Sequence, residues 1–415
     1  MQDSSRYAVG IDIGTTMIRA VVGHVDPASG APTIVGVGQA PNSGMRKGVV
    51  TNLNGPAHAI DVALGDAERM SGHEVNEAML SVNGTHILST KADGMIAVGM
   101  MDHEINADDL ARIQEVATVG KIPQNREVLK VVPHSYVLDG QTGIKEPLGM
   151  SGSRLEINAN VVSALTPYVQ NVEKVAEMAT VSPRAVIVSG LAAAKAVLKE
   201  QQLESGVAVV DFGGSTTTVS VFEEGDLQYV GVVPMGGINI TNDLAIGLKT
   251  DPEVAEQVKL KHASAIGRAE QTRVNIKQDG ESYEFDTSEI DEIVEARLEE
   301  IFELVQKELK KAGLAGKLPS GVVLVGGVAN LKGVAEYAKA QLGLAVRVGK
   351  PAGFGGVADN VTNPEFAAAV GLMLMDAESD NQSPVRAGKH GAVDLKLATK
   401  KTTGMLSRFL KRFKA

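Results

Sequence analysis

The sequence predicts an α/β fold made of two similar halves, on three observations. Residues 8–22 and 207–221 share one plan: an apolar strand, an aspartate, a glycine turn with Ser or Thr, and a second β-rich strand. The aspartates, Asp12 and Asp211, lie almost half a chain apart, as expected of an internal duplication. Strand and helix patterns alternate over the remaining sequence, which is typical of α/β proteins.

Composition narrows the functional classes. The chain has 415 residues, which predicts two to four domains at ~150 residues each. It has no cysteine, which excludes disulfides and a thiolate nucleophile. It has no tryptophan and only 3% aromatic residues, which argues against a base-stacking surface and a nucleic-acid partner. The first residues lack the pattern of a secretory signal, and no apolar run is long enough to span a bilayer. We therefore expect a cytoplasmic protein.

Periodicity predicts the clearest individual elements. Apolar residues recur at three- and four-residue spacing over 55–70, 106–119 and 289–311, which predicts three amphipathic helices. Asn106 is a suitable N-cap for the second of them. Residues 322–325, all Val or Leu, predict a buried strand that ends in a glycine pair.

The glycine loops predict a site for a nucleoside triphosphate with Mg²⁺. Consecutive backbone N–H groups in a glycine turn suit phosphate oxygens, and a Cβ would block their close approach. Asp12 and Asp211 would face the metal, most simply through water. The chain has no GxxxxGK[ST] motif, which excludes a P-loop protein. The loop residues assigned to this site are Asp12, Gly14, Thr15, Thr16, Asp211, Gly213, Gly214, Ser215, Thr216, Gly236, Gly237, Gly326 and Gly327.

The order of these motifs resembles a known superfamily. GIDIGTT, VVDFGGSTT, VLVGGVANLKG and NPEFAAAVGL are similar to the phosphate, adenosine and connecting motifs of the actin/Hsp70/sugar-kinase superfamily. The segments 44–50, 143–157 and 232–248 resemble the FtsA family of actin-like bacterial cell-division proteins. The resemblance covers about 6–376 and resumes at the terminal segment. It implies ATP and Mg²⁺ as cofactors and an actin-like fold, a duplicated ribonuclease-H-like fold with a nucleotide cleft, an inserted subdomain and a C-terminal amphipathic helix.

The resemblance also implies a division into subdomains and a set of partners. Arg297 matches a family position associated with docking the C-terminal tail of FtsZ, and Glu256 and Lys259 resemble a pair that contacts the nucleoside. The other implied partners are further copies of the chain and other division proteins. The implied regions are 1A (1–86, 162–200 and 356–376), an inserted 1C for polymer contacts (87–161), 2A (201–245 and 300–355), an FtsZ-facing 2B (246–299), a flexible linker (377–403) and a membrane-targeting helix (404–415).

Three positions depart from the family pattern. Ser215 stands where relatives have a glycine, Thr218 stands where they have an aspartate, and Ser189 begins a Ser-Gly-Leu where they have Glu-Pro-Leu. A general base must accept a proton near neutral pH, and hydroxyl groups do this poorly. We therefore expect ATP binding with weak or absent hydrolysis, and no catalytic residue is assigned.

The C-terminal segment has its own chemistry. From Asp376 the composition shifts to Ser, Gly, Lys, Asp and Pro, which predicts the linker. At 100° per residue, the last helix would separate its apolar and basic residues, which predicts reversible attachment to anionic lipids. The resemblance places this attachment on the cytoplasmic face of the membrane at the division site. The apolar arc is Met405, Leu406, Phe409, Leu410 and Phe413, and the basic arc is Arg408, Lys411, Arg412 and Lys414.

Three alternative functions within the same superfamily remain open at this point. A sugar kinase needs an aspartate base and has no use for a detached amphipathic tail. An Hsp70-type chaperone needs a substrate domain of ~200 residues after its core. An actin-like pilus-assembly ATPase shares the inserted subdomain but lacks the terminal helix. The tail favours an FtsA-like protein that polymerises and tethers FtsZ filaments to the membrane.

Overall fold

A computed structural model describes residues 6–99, 104–268, 270–278, 280–356 and 359–379. The strands are β1 (Arg6–Ile13), β2 (Met17–Val25), β3 (Pro32–Pro41), β4 (Met45–Arg46), β5 (Val49–Val50), β6 (Glu77–Val82), β7 (Leu88–Ala97), β8 (Arg126–Leu138), β9 (Gln141–Ile144), β10 (Arg154–Leu165), β11 (Ser182–Val188), β12 (Val207–Phe212), β13 (Thr217–Glu223), β14 (Asp226–Val233), β15 (Arg273–Gln278), β16 (Glu281–Asp286), β17 (Val322–Val325) and β18 (Val346–Val348). The α-helices are α1 (Asn54–Ser71), α2 (Ala107–Thr118), α3 (Thr166–Met178), α4 (Ser189–Val197), α5 (Glu200–Ser205), α6 (Gly237–Gly247), α7 (Pro252–His262), α8 (Thr287–Lys311), α9 (Val334–Leu342) and α10 (Ala367–Glu378).

The elements predicted from periodicity are confirmed. Helices α1, α2 and α8 and strand β17 form where the apolar spacing predicts them. The Asn106 side chain accepts hydrogen bonds from the backbone N–H groups of Asp108 and Asp109, while the Asp109 carboxylate accepts one from the Asn106 N–H. This capping box satisfies donors that the first turn of α2 would otherwise leave unpaired.

Two five-stranded sheets have the same topology. The first has the order β3-β2-β1-β6-β11, and the second has the order β14-β13-β12-β17-β18. In each sheet the first three strands are antiparallel neighbours and the last two run parallel to the central strand. The predicted duplication is therefore confirmed at the level of strand order and direction.

Two hydrophobic cores enclose these sheets. The first core joins α1, α3, α4 and α10 to the first sheet and extends to one face of the second sheet, including Val209 and Val323. The second core joins the other face of the second sheet to α6, α7, α8 and α9. Helix α10 lies directly against β1, because a Cβ on Gly10 would come within 2.3 Å of the Ala369 carbonyl oxygen. In the second core, the rings of Phe212 and Phe302 meet edge to face with centroids 6.0 Å apart. Close packing of this kind fixes the strand ends that carry the glycine turns.

A third, antiparallel sheet occupies the chain between the first sheet's strands β6 and β11. Its order is β7-β10-β8-β9, and α2 covers it over a small core that includes Ile113, Leu155 and Ile157. Lys145 forms ion pairs from this region to Glu224 and Asp226, the latter at 2.8 Å. The inserted region therefore contacts the second half of the molecule.

The predicted start of the linker is wrong. Helix α10 continues to Glu378, and Asp376 lies fully buried within it. The Asp376 carboxylate accepts a hydrogen bond from the Val9 N–H at 2.7 Å and pairs with Arg184 at 2.8 Å. Residues 380–403 of the predicted linker and the predicted helix 404–415 lie outside the described residues. No helix in the described part of the chain is long and apolar enough to cross a membrane.

Candidate functional site

A cavity of ≈700 Å³ lies between the two glycine hairpins. Both hairpin turns contribute to its wall, together with the start of α6, helix α7 and the turn after β17. Of the residues predicted for the site, the following line the cavity: Asp12, Gly14, Thr15, Thr16, Asp211, Gly213, Gly214, Thr216, Gly237, Glu256, Lys259, Gly326 and Gly327.

Two predicted residues support the turns instead of lining the cavity. The Ser215 hydroxyl donates to the Thr15 hydroxyl oxygen at 2.7 Å, which joins the second hairpin to the first. The Gly236 N–H donates to the Asn239 side-chain oxygen at 3.0 Å. A Cβ on Gly236 would lie 2.5 Å from the Gly213 carbonyl oxygen, so only glycine permits this approach of α6 to the second turn.

The two aspartates are half-buried at the cavity floor. Asp12 accepts a hydrogen bond from the Ser81 hydroxyl at 2.7 Å. Burial raises the pKa of Asp12, although Ser81 and Arg19 oppose the shift. Burial and the neighbouring charge of Asp12 raise the pKa of Asp211 to about 6, against a hydrogen bond from Ser189. Two neighbouring, partly buried carboxylates resist simultaneous ionisation, and a cation between them would relieve that cost.

Arg19 is a site residue that the sequence analysis missed. It lines the cavity, is the cross-strand partner of Asp12, and its guanidinium lies 5.3 Å from the centre of the Phe366 ring. Burial lowers its pKa, while the charges of Asp12, Glu365 and Asp211 act to raise it. Its Nε has no hydrogen-bond partner among the described residues. The available signal was a charged residue in an otherwise apolar strand, seven positions after Asp12 across a short turn.

A second unpredicted residue, Asn83, connects two of the three positions that depart from the family pattern. The Thr218 hydroxyl donates to the Asn83 side-chain oxygen at 3.0 Å, and the Asn83 amide donates to the Ser189 hydroxyl oxygen at 3.0 Å. Ser189 in turn hydrogen-bonds Asp211. These hydrogen bonds run from Thr218 through Asn83 and Ser189 to Asp211 at the floor of the cavity. They therefore link two neighbouring strands of the second sheet through residues of the first half of the chain.

A lysine lies beside the start of α6. The Lys259 ammonium donates to the Glu256 carboxylate at 2.6 Å, to the Thr241 hydroxyl oxygen at 2.8 Å and to the Gly237 carbonyl oxygen at 3.2 Å. The predicted pair of Glu256 and Lys259 is thus formed in the structure, at the cavity wall.

The two adjacent glycines after β17, Gly326 and Gly327, differ in whether the protein leaves space for a side chain. Gly326 has φ 85°, and a Cβ there would lie 2.6 Å from the Phe212 carbonyl oxygen, so its role is structural. A Cβ on Gly327 would meet no protein atom within 4 Å. Since Gly327 lines the cavity, a side chain at this position would project without any clash with the protein.

Comparison with known proteins identifies the family. The chain is 36% identical to the cell division protein FtsA of Pseudomonas aeruginosa over 92% of both chains. It is 35% identical to the FtsA of Bacillus subtilis, over 90% of this chain and 84% of that protein. The chain belongs to the FtsA family. The family model for cell division protein FtsA matches residues 208–371, and that for the SHS2 domain inserted in FtsA matches residues 84–163, which include all of the third sheet except the last two residues of β10.

Solved structures similar to this FtsA-family chain support the actin-like fold. The PilM–PilN type IV pilus biogenesis complex matches with a TM-score of 0.66 at 16% identity, over 90% of this chain and 99% of that chain. MreB5 of Spiroplasma citri bound to ADP matches with a TM-score of 0.52 at 13% identity, over 88% and 94%. At such identities the likeness concerns the fold alone, and it confirms the predicted actin-like architecture.

The FtsA-family position Arg297 lies on α8, outside the cavity. Its guanidinium bonds the Asp243 carboxylate, with one Nη2–Oδ1 distance of 3.0 Å, and also pairs with Glu300. The hydrogen bond that Arg297 donates to Asp243 is the main reason that the pKa of Arg297 is raised. About a fifth of its side chain is exposed, so Arg297 is held by two carboxylates at the surface of the helix.

Proposed function

We propose that this FtsA-family protein binds Mg-ATP in the cavity between the hairpins, polymerises, and tethers FtsZ filaments to the membrane at the division site. The nucleotide part of the proposal rests chiefly on one observation. Glycine turns from two duplicated halves border a single cavity whose floor holds Asp12, Asp211 and Arg19. Turn N–H groups, one guanidinium and two carboxylates together suit a triphosphate with its divalent cation.

The residues present fit Mg²⁺ held mainly by phosphate and water. Asp12 and Asp211 are half-buried with raised pKa values, and a divalent cation would relieve their repulsion. Within the described ranges, no group of three or more acidic or histidine side chains could hold a metal alone. When bound, the ion would neutralise phosphate charge, while Arg19 would compensate the anionic ligand from the first hairpin.

The floor of the cavity supports slow hydrolysis. Ser189 and Thr218 both bond Asn83, and their hydroxyl groups are themselves poor acceptors of a proton from water. Asp211, whose pKa is about 6, is the titratable group beside Ser189. We expect turnover below the ~1 s⁻¹ at the lower end of typical enzymes.

Calorimetry on Gly327→Leu tests the nucleotide site. Because no protein atom lies within 4 Å of a Cβ at this position, the variant should fold as the unmodified protein does. Its side chain would occupy cavity volume, so ATP affinity should fall by about tenfold or more, ~1.4 kcal/mol. A folded Gly327→Leu protein with unchanged ATP affinity would contradict the proposed location.

The tethering part of the proposal rests on family membership and on the sequence of the tail. FtsA-family relatives are cell division proteins, and MamK, a fold neighbour at a TM-score of 0.51, is recorded as a double helical filament. The five apolar and four basic side chains of 404–415 suit an anionic lipid surface. One short helix binds weakly, so polymerisation would strengthen attachment by multiplying tails on one surface.

Co-sedimentation of the protein and FtsZ with anionic vesicles tests the tether. The full chain should pellet with vesicles and carry FtsZ with it, whereas removal of 404–415 or the change Phe409→Asp should release both. Arg297→Glu should release FtsZ and leave the protein on the vesicles, since Arg297 lies on α8 within the described body. A truncated protein that pellets as well as the intact one would overturn the membrane assignment.

A further inference from the structure

We propose that a basic groove on the body of the protein binds the phosphate headgroups of anionic phospholipids. The groove is defined by Lys195, Lys199, Arg347 and Lys350, and none of these residues lines the nucleotide cavity. The proposal rests on the membrane attachment proposed above, because it concerns the same bilayer. It adds a second, folded contact to that attachment.

The groove is built by elements that are fixed to one another. It encloses ≈660 Å³ between the end of α4, the start of α5, strand β18 and the end of α10. The Ala352 N–H donates to the Ala196 carbonyl oxygen at 2.9 Å, which holds the loop after β18 against α4. The Arg347 guanidinium donates to the Val197 carbonyl oxygen at 2.9 Å, which sets its direction along the groove.

The charge of the groove is largely uncompensated. Its one lining carboxylate, Glu378, pairs with Lys195 at 2.5 Å. Lys199, Arg347 and Lys350 form no ion pair with any residue that the structure describes. Partial burial lowers the pKa of Arg347, and no carboxylate offsets that shift. Three unpaired cations on a chain of net charge −10 make a local anion-binding surface.

The position of the groove argues for lipid as the occupant. Glu378 ends α10 and lines the groove, so the chain leads from this rim into the tail. In the sequence, the proposed lipid-binding segment 404–415 begins about 25 residues after Glu378, so the groove is close in sequence to the proposed attachment. The tail itself is an unsuitable occupant, because 386–415 contains nine basic residues and one acidic residue. Phosphodiester groups accept hydrogen bonds from both guanidinium and ammonium groups.

A charge-reversed pair tests the groove in the full chain. Lys199→Glu with Lys350→Glu should weaken binding to phosphatidylcholine vesicles that contain phosphatidylglycerol by about thirtyfold or more, since each of the two basic groups contributes ~1 kcal/mol near an anionic surface. Lys317→Glu with Lys339→Glu is the matched control, because both lysines are exposed, lie outside the groove and make the same change in net charge. The control pair should change the affinity less than about threefold.

A fluorescent label reports whether the groove reaches the lipid. The chain has no cysteine, so Ala352→Cys at the groove and Ser282→Cys on β16 each provide one labelling site. On anionic vesicles, lipid-borne quenchers should quench the label at 352 more than the label at 282. Equal quenching, or equal vesicle affinity of the groove pair and the control pair, would overturn the proposal.

The remaining outcomes separate the two proposals and the two sources of phosphate. If removal of 404–415 releases the protein but the groove pair binds like the control pair, the tether stands and the groove fails. If the groove pair releases the protein and removal of 404–415 does not, the tether fails and the groove stands. If the groove pair loses affinity for inorganic phosphate alone and not for vesicles, the groove is a small-anion site and the lipid proposal fails. A full chain that binds no anionic vesicle overturns both.

Discussion

The two glycine hairpins have the same backbone plan but balance their aspartates differently. In the β1–β2 hairpin, Asp12 lies opposite Arg19, so the carboxylate and the nearest cation belong to one hairpin. In the β12–β13 hairpin, the residue opposite Asp211 is Thr218, which carries no charge. Both hairpins therefore have the aspartate and the glycine turn, but only the first has a cation opposite its aspartate. The charge of Arg19 interacts with both carboxylates.

The hydrogen-bond donors to the two aspartates also come from different places. Ser81, which donates to Asp12, lies on β6 in the same sheet. Ser189, which bonds Asp211, begins α4, which follows β11 of the first sheet and packs against α10 as well as β12 and β13. The first hairpin is thus self-contained, whereas the second is completed by the other half. Any opening of the cleft would alter the environment of Asp211 more than that of Asp12.

Removal of the Arg19 charge, which both aspartates share, should have the largest effect on Mg-ATP affinity. We expect Arg19→Met to weaken Mg-ATP binding by roughly 10²-fold, about 3 kcal/mol, because it leaves partly buried charges without their partner. Thr218→Val, at the corresponding position of the second hairpin, is the matched control. It removes one neutral hydrogen bond to Asn83 and should cost about 1 kcal/mol or less. Calorimetry on folded samples measures the Mg-ATP affinity of both variants. Equal losses of affinity would show that the two hairpins do not differ in the way proposed.

Removal of the Asp211 carboxyl should make the free energy of unfolding depend less on pH. Because the folded-state pKa of Asp211 is about 6 against an ordinary 3.8, the unfolded chain releases this proton first as pH rises. Stability is therefore lost between about pH 4 and pH 6, and the full penalty is present above pH 6. Asp211→Asn should stabilise the nucleotide-free protein by about 3 kcal/mol at pH 7.5 and by about 1 kcal/mol at pH 4.5.

The corresponding change in the first hairpin, Asp12→Asn, tests whether the gain in stability is specific to Asp211. Asp12→Asn also removes a half-buried carboxylate, but it takes a partner away from Arg19, so its gain should be smaller. Denaturant unfolding of the three proteins at the two pH values measures the difference. A gain for Asp211→Asn that is the same at both pH values would show that its carboxyl is not the source of the penalty.

Acids at the two positions that bond Asn83, Ser189 and Thr218, should have a smaller effect, on hydrolysis. Ser189→Glu with Thr218→Asp supplies groups that can accept a proton near the cavity floor, and phosphate release should rise by about tenfold, below the full range of positioned general bases. Ser189→Gln with Thr218→Asn provides similar size without the charge. Release from the unmodified protein at or above ~1 s⁻¹, or an equal rise in the neutral pair, would show that the catalytic group lies elsewhere.

Local patterns in the sequence were sufficient for most elements of the fold. The apolar stripes of α1 and α8, the buried run of β17 and the N-cap at Asn106 all have causes within a few residues of chain. The echo between 8–22 and 207–221 was sufficient to predict the duplication, because both hairpins obey the same turn chemistry. For the same reason the turn residues of the candidate site were predictable, and the structure brings them together at one cavity.

The contacts that only the tertiary structure determines join residues that are distant in sequence. The sequence alone did not indicate that Asn83 would join Thr218 to Ser189, that Arg19 would lie near Asp211, or that Asp376 would be buried against β1. Each contact depends on how two sheets and their helices pack, and a polar residue in a local pattern does not specify its distant partner. The charge of the second aspartate is therefore a property of the assembled cleft, since its neighbours come from both halves of the chain.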